Sequence, residues 1–130
     1  MRLERLLWIR SAHNAEHALK AADLLIQGGG FGLVAMDLGD TPPETARRIS
    51  LTSWFRLRRA VEHTPTVLVT LARQSNAKTC ASLVLECQRE RAAWSGTSES
   101  RSYLLRGIVV RVTSKNRSKV CSPVFTAVAI

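Results

Sequence analysis

The chain is poor in acid, in aromatic rings and in cysteine: 10 Asp and Glu stand against 19 Lys and Arg, aromatics make up 5%, and 3 cysteines occur in 130 residues. Cys80, Cys87 and Cys121 are odd in number and sit at no CxxC-type spacing. That excludes a disulfide framework and a zinc finger, and reads as reduced structural thiols in a cytoplasmic protein. No apolar run approaches the ~18 residues of a spanning helix. The opening MRLERLLWIR interleaves charges with its apolar positions, so neither a membrane span nor a secretory signal is expected. His13, His17 and His63 are too scattered for a metal pair, no nucleophile elbow supports Ser/His/Asp or Cys/His catalysis, and no metal site is expected.

What is present is a globular composition, 45% hydrophobic and 22% charged, with a formal charge of +9. This length suits one small domain, a sheet with a layer of helices on each face. Leu6 to Ile9 is a short apolar run that reads as a first strand. Ala15, Ala18, Leu19, Ala22, Leu25 and Ile26 then recur at helical spacing, with Asn14 as N-cap and Gly28 to Gly30 as the stop, which predicts a helix from about 15 to 27. Phe31 to Met36, ending in Asp37, is continuously apolar and reads as a strand of a parallel sheet buried on both faces. Thr41-Pro42-Pro43-Glu44 has the form of a capping box and opens a second helical region that carries Trp54, Leu57, Ala60 and Val61 and ends near His63. Thr66 to Leu71 is a further buried strand, and a helical turn leads to another near Ser82 to Gln88. After a Ser-rich loop at 95–102, Leu104 to Thr113 and Pro123 to Ile130 alternate with period two around a polar turn at 114–119, an antiparallel hairpin. The fold class is therefore α/β, βαβαβ with helices on both faces and an antiparallel C-terminal hairpin.

Leu6-Leu7, Ala18-Leu19 and Gly30-Phe31-Gly32-Leu33-Val34-Ala35-Met36-Asp37, followed in order by Thr66-Val67-Leu68-Val69, Asn76-Ala77, Ala81-Ser82, Arg89, Val110-Arg111-Val112, Lys115-Asn116-Arg117 and Pro123-Val124-Phe125, resemble the bacterial RecA recombinase core. Gly28 to Gly32, Asp37-Leu38-Gly39-Asp40 and Leu51 to Arg56 resemble, more closely, the RecA-related ImuA-type accessory proteins of translesion synthesis. The resemblance implies a partial RecA-like sheet, its second half, because GxxxxGK[ST] occurs nowhere in the chain. ATP and magnesium are implied by kinship only, and no cofactor is expected.

The same resemblance marks Asp37 as a Walker B-like carboxylate at a strand end. The alternative is an acid that caps a turn with Gly39 and Asp40. Lys115 and Arg117 match a basic stretch that reaches the neighbouring subunit's nucleotide in RecA filaments, against the plainer reading of a solvated hairpin turn. Residues 101–130 carry Arg101, Arg106, Arg111, Lys115, Arg117 and Lys119 and no acid, and Arg56, Arg58 and Arg59 cluster on the polar side of the Trp54 helix, with Arg47 and Arg48 before them. Such clusters attract DNA phosphates without base contacts, and serve an acidic protein or plain solvation equally well. Trp8, Trp54 and Phe55 read as core, and Trp94, beside the loop, as the exposed ring.

The expected function is an accessory DNA-repair protein of the SOS and translesion type, binding DNA, a translesion polymerase or a RecA-type filament without hydrolysing ATP. The alternatives are a truncated half of a RecA-like DNA-dependent ATPase and a division-inhibitor-like interaction protein. A chain whose phosphate-loop strand is missing from its sheet must also close the gap, form a homo-oligomer or borrow a strand.

Overall fold

The structure, a computed structural model of the chain, describes residues 3–12, 14–96, 104–115 and 124–128. The chain divides into two compact units, Met1–Ala81 and Ser82–Ile130.

In the first unit, α1 (Ala15–Gly28) starts where the Asn14 side chain accepts hydrogen bonds from the Glu16 and His17 amides. It stops where the Gly29 amide donates back to Leu25 and Ile26. Gly29 and Gly30 both have positive φ, 69° and 84°, a conformation that a side chain would strain. β1 (Leu33–Asp37) follows, then α2 (Pro43–Arg48), α3 (Leu51–Val61) and β2 (Val67–Leu71). The second helical region is thus two helices, interrupted at Ile49 and restarted by Ser50, whose Oγ accepts from the Ser53 amide at 3.1 Å. The capping box does not form: Pro42 occupies the N-cap of α2 with no side-chain bond and Pro43 the first turn, while Thr41 is buried in the preceding turn.

β1 and β2 pair in parallel, Leu33 opposite Val67 through Asp37 opposite Leu71. The ladder is prolonged by the Val67 amide to Gly32 (2.9 Å) and the Leu38 amide to Leu71 (2.8 Å). Val34 and Met36 point into a core shared with Ala15, Ala22 and Ile26 of α1 and Trp54 and Leu57 of α3. Burying a side chain of the size of Ile26 or Leu57 contributes about 1.5–3 kcal/mol. The opposite face is bare: Leu33, Val67 and Leu71 remain 60%, 57% and 53% exposed. The expectation of strands buried on both faces is therefore corrected, because both long helices pack on the Val34 face. Leu6 to Ile9 forms no strand either and lies exposed. An apolar run has strand composition, but only a ladder partner makes it one, and β1 pairs on one edge alone. The order observed is α1-β1-α2-α3-β2 in place of βαβαβ.

In the second unit, β3 (Leu85–Ser95), β4 (Leu104–Ser114) and β5 (Val124–Val128) form an antiparallel sheet in that order. The C-terminal hairpin is present, Gly107 opposite Val128 through Arg111 opposite Val124. β3 starts three residues later than expected and runs seven residues further, pairing with β4 along its length. Among the described residues its ladder partner is β4, and the strands of the two units form separate sheets. Over residues 82–96 and 104–115 no residue of this unit is buried.

Candidate functional site

Where a strongly basic chain directs its charge decides what it can hold. On α3, Trp54 and Leu57 face the core, which sends Arg56, Arg58 and Arg59 outward. The Arg56 guanidinium pairs with Asp23 Oδ2, a carboxylate otherwise buried on α1. The hydrogen bond to Asp23 and that carboxylate's charge hold the Arg56 pKa above its ordinary value. Asp23 Oδ1 stays buried without a partner, as does Trp54 Nε1. Arg58 Nε lies 3.5 Å from Glu62. Arg47 is braced between Glu44 (3.5 Å) and Gln74 (3.1 Å), and Arg73 Nε donates to the Gly39 carbonyl at 2.8 Å. Arg59 and Arg48 are exposed and engage no acid among the described residues.

The second unit sorts its charge similarly. Arg111, opposite Gln88 in the ladder, donates from Nε to Glu90 at 2.6 Å, and Lys115 Nζ meets Glu86 Oε2 at 2.9 Å. Each of the two described acids is thus matched by one cation. Arg89, Arg91 and Arg106 face solvent with no ion pair or side-chain hydrogen bond among the described residues. Over residues 82–130 the sequence carries eight Lys and Arg against three Glu, a net of +5. Arg101, Arg117 and Lys119 lie outside the described residues. Of the expected DNA-contacting cations, Arg56, Arg58 and Arg111 are paired, and Arg59 and Arg106 are not. Arg89 and Arg91 escaped the sequence reading as a binding pair because β3 was expected to end at Gln88. The Arg-Glu-Arg alternation just beyond was the signal that the strand continues.

Asp37 sits exposed at the carboxyl end of β1, where ligands of parallel sheets bind. Its Oδ1 accepts the Gly39 amide at 2.8 Å, and a Cβ on Gly39 would come within 3.0 Å of that oxygen. It therefore caps the turn. A nucleotide triphosphate does not fit the residues described. The glycines at 28–30 close the carboxyl end of α1, where carbonyls and the negative end of the helix dipole repel phosphate. The helix after β1 opens on two prolines, one donor fewer for each. Lys115 is committed to Glu86, and no group of His, Cys, Asp and Glu suited to a metal occurs among the described residues.

The aromatic rings divide unexpectedly. Trp54 is core, but Trp8 and Phe55 are exposed, against expectation, and Trp94 is 57% exposed, as expected. Of the thiols, Cys80 is buried and Cys87 is exposed on β3; Cys121 lies outside the described residues. Among the described residues no helix is long and apolar enough to cross a membrane. No family model, curated protein or solved structure matches the chain.

Proposed function

We propose that the chain is a RecA-like accessory protein of DNA repair, of the ImuA type in translesion synthesis, acting by binding DNA phosphates and protein and not by hydrolysing ATP itself. The observation that carries the reading is the distribution of charge: the described acids of the second unit are matched by Arg111 and Lys115, which leaves Arg89, Arg91 and Arg106 unneutralised. Unneutralised cations on a sheet attract a polyanion through counterion release. The colinear run of RecA-like motifs supports the repair context. The order of a parallel pair followed by antiparallel strands is compatible with it.

The bare face of β1 and β2 supports the protein-binding half of the reading. Parallel strands normally have both faces covered, and Leu33, Val67, Val69 and Leu71 offer an uncharged surface to a second copy, a polymerase or a filament subunit. Fluorescence anisotropy with a labelled oligonucleotide at low salt tests the DNA half. Arg59→Glu with Arg106→Glu should weaken binding, whereas Asp37→Ala should leave it unchanged. Failure of the unaltered chain to bind any oligonucleotide would remove DNA from the reading and leave an interaction protein of the division-inhibitor kind.

A further inference from the structure

We infer that the β3–β4 sheet binds single-stranded DNA by stacking a base on Trp94 while Arg89 and Arg106 hold flanking phosphates. This deepens the DNA-binding reading above and rests on it. Tryptophan is highly buried on average, yet Trp94 lies within a strand and is 57% exposed. Its ladder partner Leu105 is exposed too, 41%, so the ring has open apolar surface beside it.

The register places cations next to this ring. Trp94 pairs with Leu105 and Ala93 with Gly107, which leaves Arg106 as an extra residue of β4 at a bulge beside Trp94. Toward the other end of β3, Arg89 pairs with Val110 and Ala92 with Ile108. Paired residues share a face, and Val110 and Ile108 alternate on β4, so Arg89 and Ala92 share a side; Ala92 and Trp94 alternate on β3, which puts Trp94 on that side too. Four ladder steps separate Arg89 from Trp94, roughly 13 Å at the usual strand rise, and the residue between them on that side is a small alanine. A groove of this kind, a ring for a base and cations for the backbone on either side, holds a single strand without reading sequence. A duplex keeps its bases stacked on one another and can use the arginines alone. Glu86 and Glu90, the acids that would repel a polyanion here, are held by Lys115 and Arg111.

The full chain is titrated with a labelled oligothymidine, a duplex of equal length and a matching RNA strand. Trp94→Ala should weaken single-strand binding by about 5- to 150-fold and leave duplex binding unchanged. Trp94→Phe should keep most of the affinity, and Trp8→Ala all of it. Arg89→Glu with Arg106→Glu should weaken both DNA forms. Far-UV circular dichroism confirms that each variant is folded, as the exposure of these side chains leads one to expect. If folded Trp94→Ala binds the single strand as the parent does while binding stays salt-dependent, stacking is overturned and DNA binding stands. If the parent binds neither DNA form, both fall. An RNA strand bound far more tightly than the DNA strand would overturn the assignment to DNA, and polyglutamate bound as tightly as the oligonucleotide would overturn it in favour of an acidic protein.

Discussion

Within Met1–Ala81, two short parallel strands, the helices around them and their connections bury ten apolar residues; within Ser82–Ile130, three antiparallel strands, two of them eleven residues long, bury none over residues 82–96 and 104–115. The first region holds together by burial on one face of its sheet. The second relies on ladder hydrogen bonds, half-buried cross-strand pairs such as Ala92 with Ile108 and Glu86 with Thr113, and ion pairs along its strands. The two differ equally in what they leave open. The parallel pair shows an apolar face with Asp37 at its end, which is proposed to meet protein, and the antiparallel sheet shows arginines and a tryptophan, which are proposed to meet a nucleic acid. Stability and recognition are divided between the regions by how much apolar surface each hides.

The largest effect expected of this contrast is on stability. Trp54→Ala should cost about 3–5 kcal/mol, as removal of a large core ring does, while Trp94→Ala should stay within about 0.5 kcal/mol of the parent. Urea denaturation of both variants measures the difference, and equal losses would break the contrast. Next in size is association. A lysine at Val69 places a charge on the bare face of β2, where exposed apolar surface invites association. Light scattering after size exclusion should show the parent above the mass of one chain and Val69→Lys closer to one chain.

A smaller effect is expected at the junction of α1 and α3. Arg56→Leu leaves the buried Asp23 carboxylate without its partner and should lower the thermal midpoint, less than Trp54→Ala does. Adding Asp23→Asn to that variant should recover part of the loss, because the group left behind is then neutral. The smallest effect concerns ATP. Turnover by the purified chain should not exceed a heat-killed control, and Asp37→Ala should change nothing, since that carboxylate holds the Gly39 turn.

Local signals in the sequence were legible where the physics is local. Asn14, the three glycines and the helical spacing between them locate α1 to within a residue, because caps and amphipathic faces act over one or two turns. The break at Ile49 and Ser50 was missed, since Ser50 competes with a proline-led capping pattern that looks stronger on paper. Burial was least legible. Phe31 to Met36 and Thr66 to Leu71 have the composition of strands covered on both sides, but cover comes from the rest of the fold, and here it comes from one side only. For the site, sequence reasoning could identify the basic clusters and the exposed ring of Trp94. It could not tell Arg111, neutralised by Glu90, from Arg106, which is not, because that distinction depends on cross-strand register.

The most direct test of the central claim, that unneutralised arginines make this a polyanion-binding chain, is the salt dependence of single-strand binding by the unaltered protein. Two phosphate contacts, from Arg89 and Arg106, correspond to a slope of about −1.4 in log affinity against log salt, roughly a 7-fold loss between 50 and 200 mM. A slope at least that steep, made shallower by charge reversal at Arg89 and Arg106, is the expected result. Affinity that does not change with salt, or that survives those reversals intact, would contradict the claim.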